Sequence, residues 1–257
     1  MPRPCLVLRV FTRGSRGGNH LGVVTDLTGL ETADMQRIAF ELGFSETVFI
    51  DSPGDEVPTV RIFTPGMEMP FAGHPLVGAA SVMLDEGGHA GRLRCGIGEV
   101  AIRRDGDVVW VDAPMSPANA GVGVSTFAHR VGLADALSTW RVAMPLDYRM
   151  VELASAEHVT AVQPDTGAFE AAHGLTVYAR SGAAVRMRFF IPEAGIDEDP
   201  ATGSAAVALA TMYAARGESE GRLTIDQGEE IGHPSRIRLQ WAGSTASIGG
   251  TVVAVEV

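Results

Sequence analysis

Cysteine is nearly absent: the 257 residues contain two, Cys5 and Cys95, far apart and in no metal or redox spacing. A disulfide framework is therefore not expected, and a reducing cytoplasm is the default compartment. Basic residues are also scarce. Lys and Arg number 20 against 31 Asp and Glu, a net charge of −11, with no basic run anywhere. That balance argues against nucleic acid and anionic membranes as partners. An anionic ligand would have to be held by local backbone dipoles rather than by the global field. No apolar run reaches the roughly 18 residues a membrane helix needs. The N-terminal "MPRPCLVLRVFT" reads as a short strand, not a signal peptide, because it lacks a long apolar core. A soluble intracellular protein is expected.

Other absences narrow the chemistry. None of the seven histidines pairs with another at an i, i+4 or His-x-His spacing, so a metal site is not expected. The glycine-rich "RGSRGGNHLG" follows a strand but lacks the G-x-G-x-x-G spacing of a dinucleotide site. Neither a metal ion nor a dinucleotide is expected from these spacings.

What is present is an ordinary globular composition, 46% hydrophobic and 20% charged, with ample core for one large domain or two smaller ones. Short runs rich in Val, Ile, Thr and aromatics recur: "LVLRVFT", "ETVFID", "TVRIFTP", "EVAIRR", "VVWVDAP", "LTVYAR", "VRMRFFIP", "RLTID", "RIRLQ" and "GTVVAVEV". Their composition and the Gly, Asp and Pro between them predict strands. Helices are few. "TADMQRIAFELG" is amphipathic, with Thr32 as the expected cap and Gly43 as the stop. "HPLVGAASVMLDEG" and "SAAVALATMYAARG" are apolar nearly all round, so each should be buried on every side. Two such helices among many strands predict curved sheets wrapped around a central helix, twice.

An internal repeat supports this. "RIFTPGMEMPFAGHPLVGAASVML" (61–84) can be laid against "RFFIPEAGIDEDPATGSAAVALATMY" (188–213). Both read Arg-x-Phe-x-Pro, an acid-bearing loop, then Gly-His or Gly-Ser, then a small-residue helix. Arg61 and Arg188 lie 127 positions apart and His74 and Ser204 130, so the second loop carries three extra residues. The offset is about half the chain, which predicts two pseudo-equivalent lobes. If the lobes face each other, two helix N-termini converge on one cleft, each presenting unpaired N–H groups to a ligand carboxylate.

Three consecutive acids, Asp197, Glu198 and Asp199, precede the second apolar helix. They suit a solvated capping loop; they also suit an anion-binding helix start, with Asp199 held extended by Pro200 and aimed inward to move a proton while Asp197 and Glu198 stay in solvent. "FSETVFI" adds Glu46 at a strand start, and "FAGHP" adds His74 at a helix start. Glu, His and Asp from separate loops form a general acid/base set without a nucleophile–base pair.

The motifs "SET", "RIFTP…E…PFAGHP", "EDPATGSA" and "IDQGEEIGHPS" resemble the phenazine-biosynthesis isomerase (PhzF-like) family, in order over nearly the whole chain. The resemblance implies an α+β fold of the diaminopimelate-epimerase-like type. It would have two pseudo-symmetric lobes, each a barrel-like sheet around a central helix, with the active site between them. It further implies cofactor-independent isomerisation of a small carboxylated substrate, such as dihydro-hydroxyanthranilate, in antibiotic or other secondary metabolism, with a homodimer as the expected assembly. Glu46 matches the glutamate that carries the proton, and His74 and Asp199 match its partners. Gly73, Gly203 and Ser204 match the positions that hold the substrate carboxylate. Asn19 follows the glycines of the "GGNH" turn as a further binding position.

The chain departs from the family pattern at His20, where proline usually follows the Gly-Asn turn, and at His233, where arginine is common before the proline. These changes keep the proton-transfer set and put the substrate in question. An alkylated proline precursor is the alternative acid, and a non-catalytic small-acid binding protein the alternative class. Two-thiol racemisation is disfavoured, since neither Cys5 nor Cys95 stands ahead of a central helix; both read as small buried hydrophobes. The lobe boundary is expected near residues 114–118. The first lobe would span 1–115, completed by the last strand (about 247–257), and the second 118–246.

Overall fold

In a computed structural model of the chain, residues 5–51, 56–86, 91–120, 124–144, 146–165, 167, 169, 173–192 and 196–255 are described. The first four residues of the N-terminal strand reading and the last two of "GTVVAVEV" lie outside them. Two compact units divide the chain: Met1–Asp112 with Ile248–Val257, and Ala113–Ser247.

The first unit opens with an antiparallel hairpin of β1 (Leu6–Thr12) and β2 (Asn19–Val24), which pairs Val10 with Asn19. Helix α1 (Thr32–Leu42) then crosses over, and β3 (Glu46–Asp51) runs parallel to β2 with Leu21 beside Glu46. Parallel neighbours need such a crossover because no tight turn can join them. Strands β4 (Thr59–Phe63) and β5 (Glu68–Met69) follow in antiparallel order. Helix α2 (Gly73–Glu86) makes the second crossover, to β6 (Arg92–Cys95), parallel to β4. Strands β7 (Gly98–Asp105) and β8 (Val108–Pro114) complete the meander.

The second unit repeats the plan after β9 (Ala118–Ala120) and α3 (Val124–Arg130). Strands β10 (Ser138–Ala143) and β11 (Asp147–Glu152) pair antiparallel. Helix α4 (Ala156–Ala161) leads to β12 (His173–Ser181), parallel to β11. Strands β13 (Ala184–Ile191) and β14 (Ile196–Asp199) precede α5 (Gly203–Ala215), which crosses to β15 (Glu220–Gln227), parallel to β13. Strand β16 (Ser235–Ala242) pairs with β15. Strand β17 (Thr245–Ala254) passes into the first unit and pairs there with β1.

In each unit the strands enclose one helix, so the fold is α+β. Helix α2 packs on β1, β2, β3, β4 and β7, and α5 on β9, β10, β11, β15 and β16. Leu76, Val77, Ala79, Ala80 and Met83 of α2 and Ala205–Ala210 of α5 have no exposed surface. Close approach explains one glycine: a Cβ on Gly78 would lie 2.2 Å from Leu21 Cδ2. The pairing of β1 with β17 slips between Val10 and Thr12, and Phe11 in that bulge takes φ 64°. Positive φ on a bulky residue costs about 1–3 kcal/mol, offset here by complete burial of the Phe11 ring.

Several elements differ from the sequence expectation. The cap of α1 is Glu31, whose N–H donates to Asp34 Oδ2. Thr32 is unavailable as the cap because its hydroxyl oxygen accepts from the Arg61 guanidinium. Gly43 does stop the helix, at φ 68°. The acid-bearing loop before α5 is partly strand β14. Glu198, expected in solvent, is buried: it accepts two hydrogen bonds from Arg188 at 2.7–2.8 Å, with both side chains at most 7% exposed. Arg188 needs that carboxylate, and the carbonyls of residues 159, 160 and 162 accept from its Nη1. The first unit carries the same pair in exposed form, Arg61 with Glu68 at 2.7 Å, 31% and 40% exposed.

The two pairs should therefore differ in worth. Glu198→Ala strands a buried guanidinium and is expected to cost about 3–5 kcal/mol, whereas Glu68→Ala should cost less than about 1 kcal/mol. Urea denaturation of the two variants checks this; equal losses would mean that burial does not set the difference.

Candidate active site

Glu46, His74 and Asn19 meet within the first unit. Glu46 opens β3 because parallel pairing with β2 begins there, and His74 is the second residue of α2. Glu46 Oε2 lies 3.5 Å from His74 Nδ1, with the side chains 19% and 4% exposed. Asn19, 4% exposed at the start of β2, brings Nδ2 to 3.4 Å from the same His74 nitrogen. Its Oδ1 accepts from the Ser45 hydroxyl at 3.2 Å, which orients the amide. Glu46 Oε2 is buried and makes no hydrogen bond among the described residues.

Burial raises the Glu46 carboxyl from the ordinary 4.5 to about 7, and the neighbouring Ser45 side chain offsets only part of that. Desolvation penalises the charged form, so the group holds its proton to neutral pH. The Glu46 carboxyl and the His74 ring thus stand 3.5 Å apart.

Asp199, Gly203 and Ser204 lie within the second unit at the entry to α5. Asp199 ends β14 and is 7% exposed, while Asp197 is exposed. Thr202, the N-cap residue, donates its hydroxyl to Asp199 Oδ2. Gln227, at the end of β15 and fully buried, donates Nε2–H to the Asp199 carbonyl at 2.7 Å and to Thr202 Oγ1 at 3.0 Å. Its Oε1 accepts the Thr202 N–H at 3.1 Å. Tyr148 donates its hydroxyl to Ser204 Oγ at 2.6 Å. Gly73 and Gly203 are each the first residue of their helix.

Both thiols are free, and burial pushes both above the ordinary thiol value, away from the thiolate. Cys95 is buried as expected; Cys5 is only half-buried, because it precedes the first residue of β1. Among the described residues no three His, Cys, Asp or Glu side chains are grouped to hold a metal ion, and no helix is long and apolar enough to cross a membrane.

A family model described as phenazine biosynthesis-like protein (PhzC-PhzF) matches residues 8–256. The chain belongs to this family. An uncharacterized isomerase of Mesorhizobium japonicum is 35% identical over 98% of this chain and 97% of its own. A trans-2,3-dihydro-3-hydroxyanthranilate isomerase of Pseudomonas chlororaphis is 35% identical over 96% of this chain and 98% of its own. A PhzF-family crystal structure from Enterococcus faecalis superposes with a TM-score of 0.81 at 23% identity, covering 100% of this chain and 98% of that one. This member of the family is an isomerase.

Sequence reasoning quoted the motif containing Gln227 without giving the residue a role, and it missed Tyr148 altogether. Gln227 lies 25 positions from Thr202 and Tyr148 lies 56 from Ser204. No local spacing announces such a contact; only the β15 and β11 registers bring it about.

The raised Glu46 carboxyl implies a pH dependence of stability. In the unfolded chain the group ionises near 4.5 and in the fold near 7, so the fold binds one more proton between those values. Stability from this group is full below 4.5 and falls as pH rises to 7. Glu46→Gln lacks the loss, so it should gain on the parent by up to about 3 kcal/mol between pH 4.5 and pH 8, at about 1.4 kcal/mol per pKa unit. Urea denaturation at the two pH values reads the difference. Parallel pH curves for the two proteins would mean that Glu46 is not desolvated.

Proposed function

We propose that this protein moves a proton, and with it a double bond, on a small cyclic carboxylate without a cofactor, acting on trans-2,3-dihydro-3-hydroxyanthranilate or a close analogue. The observation that carries this reading is the buried Glu46 carboxyl, raised to about 7, with His74 at 3.5 Å. A group that must both take and return a proton works best with a pKa near the operating pH. Glu46 takes a proton from one substrate carbon, the electron pair shifts along the double bond, and Glu46 returns the proton to another carbon. Substrate and product have the same atoms, so no co-reactant is needed. His74 and Asp199 assist as proton and hydrogen-bond partners. Asn19, Gly73, Gly203 and Ser204 bind the substrate, the two glycines by letting helix-start N–H groups approach its carboxylate. The relatives named as isomerases support the reaction class.

In this reading the protein is a cytoplasmic homodimer of secondary metabolism, such as phenazine or other antibiotic biosynthesis; the free thiols fit that compartment. A second reading for the substrate draws on His20. Its ring stacks on Phe44, centroids 5.9 Å apart at 9°, two residues before Glu46. An imidazole there, where the family resemblance leads one to expect proline, favours an acid other than the phenazine precursor, such as an unsaturated proline-like acid.

The test is NMR in D₂O with a panel of dihydroanthranilate-like and unsaturated proline-like acids. Deuterium should enter one of them at carbon, and absence of exchange with every member would overturn the reading. Glu46→Gln is expected to lower turnover about 10²–10⁴-fold, Asp199→Asn nearly as much, and the exposed Asp197→Asn hardly at all. If Glu46→Gln keeps its full exchange rate, another residue is the base and His74 is the first to examine.

A further inference from the structure

We propose that Gln227 is a positioning residue for the reaction: its amide forces the Thr202 hydroxyl to donate to Asp199 and so holds that carboxylate in one orientation at the start of α5. The inference rests on the isomerase reading above. Hydrogen-bond polarity fixes the arrangement. Gln227 Oε1 faces the Thr202 N–H, which can only donate, and Nε2 faces the Asp199 carbonyl, which can only accept. Turning the amide over would set donor against donor and acceptor against acceptor, so its orientation is decided by two backbone groups. The second Nε2 proton then points to Thr202 Oγ1 at 3.0 Å, and that oxygen must accept it. The single Thr202 hydroxyl proton is left to go to Asp199 Oδ2. Gln227, Thr202 and Asp199 are 0%, 8% and 7% exposed, so water competes little for these bonds.

The next residue strengthens the case. Gly228 has φ 81°, and a Cβ there would lie 2.5 Å from both the Pro200 and the His233 carbonyl oxygens. The chain around Gln227 therefore sits directly against the 199–202 segment, as only glycine permits. The pair Gln227-Gly228 opens the motif whose part in the site the sequence left open.

The experiment uses the full chain with trans-2,3-dihydro-3-hydroxyanthranilate as probe substrate and with solvent exchange of the Thr202 hydroxyl proton followed by NMR. In the parent that proton should exchange slowly, and Gln227→Met should speed its exchange by about tenfold or more. Gln227→Met and Thr202→Val should each lower kcat about 10–100-fold with KM within about threefold, as misorientation of a catalytic group does. Thr202→Ser, which keeps the hydroxyl, should recover at least about half of the kcat that Thr202→Val loses. The proposal is overturned if the parent hydroxyl exchanges as fast as an exposed threonine, if Gln227→Met leaves that exchange unchanged, or if Thr202→Ser is no better than Thr202→Val. Should the parent not turn over the probe acid, the substrate assignment fails, and hydroxyl exchange alone decides on Gln227.

Discussion

The structure depends on burying two helices that have no polar face. Helices α2 and α5 carry apolar or small residues on every side, and neither could rest on a surface without exposing a continuous hydrophobic stripe. Each is instead enclosed by the strands of its own unit, and its crossover role makes the flanking strands parallel. The helix starts then become the natural place for chemistry. The first turn of a helix leaves N–H groups unpaired, and the surrounding strands bury whatever side chains stand there. His74 and Ser204 are the second residues of the two helices, and each is reached by a residue from a neighbouring strand, Glu46 or Tyr148.

The two units share a framework and differ at the entries to their central helices. Both retain Arg-x-Phe-x-Pro followed by Glu-x-Pro-x-x-Gly, and in both the arginine pairs with that glutamate. At the position of Glu46 the registers agree and the residues differ. Phe63 faces Thr47, just after Glu46, while the equivalent Phe190 faces Leu175, just after Gly174. A Cβ on Gly174 would come within 2.5 Å of the Phe189 ring, so no side chain fits there. A carboxylate therefore stands at this position in the first unit and a bare glycine in the second. The second unit supplies Asp199 where the first has Met69, held in a closed set of hydrogen bonds.

Electrostatics follow from the same burial. A chain of net charge −11 would repel an anionic ligand, and an ionised Glu46 would add to that. With its carboxyl raised to about 7, Glu46 stays largely neutral at pH 6 and below. The buried Arg188–Glu198 pair likewise contributes no net charge beside Asp199.

Much was legible in one dimension because it depends on local pattern. Runs such as "LVLRVFT", "ETVFID" and "VVWVDAP" coincide with β1, β3 and β8 residue for residue, since β-branched alternation is a property of neighbours in sequence. The two apolar helices and the repeat were legible for the same reason, and with them the places of Glu46 at a strand start and His74 at a helix start. Strands β2, β10 and β11 escaped notice: "NHLGVV", "STWRVA" and "DYRMVE" carry glycine, polar or charged residues that propensity discounts and tertiary pairing overrides. Within "DED" the sequence set Asp199 apart but left Glu198 in solvent with Asp197, because nothing local distinguishes those two acids. Only the fold decided that Asp197 meets water, Glu198 meets Arg188 and Asp199 meets Thr202. Residue type and spacing determine which groups are available for chemistry. Burial and strand register, which join positions dozens of residues apart, decide which of them is charged, paired or placed to act.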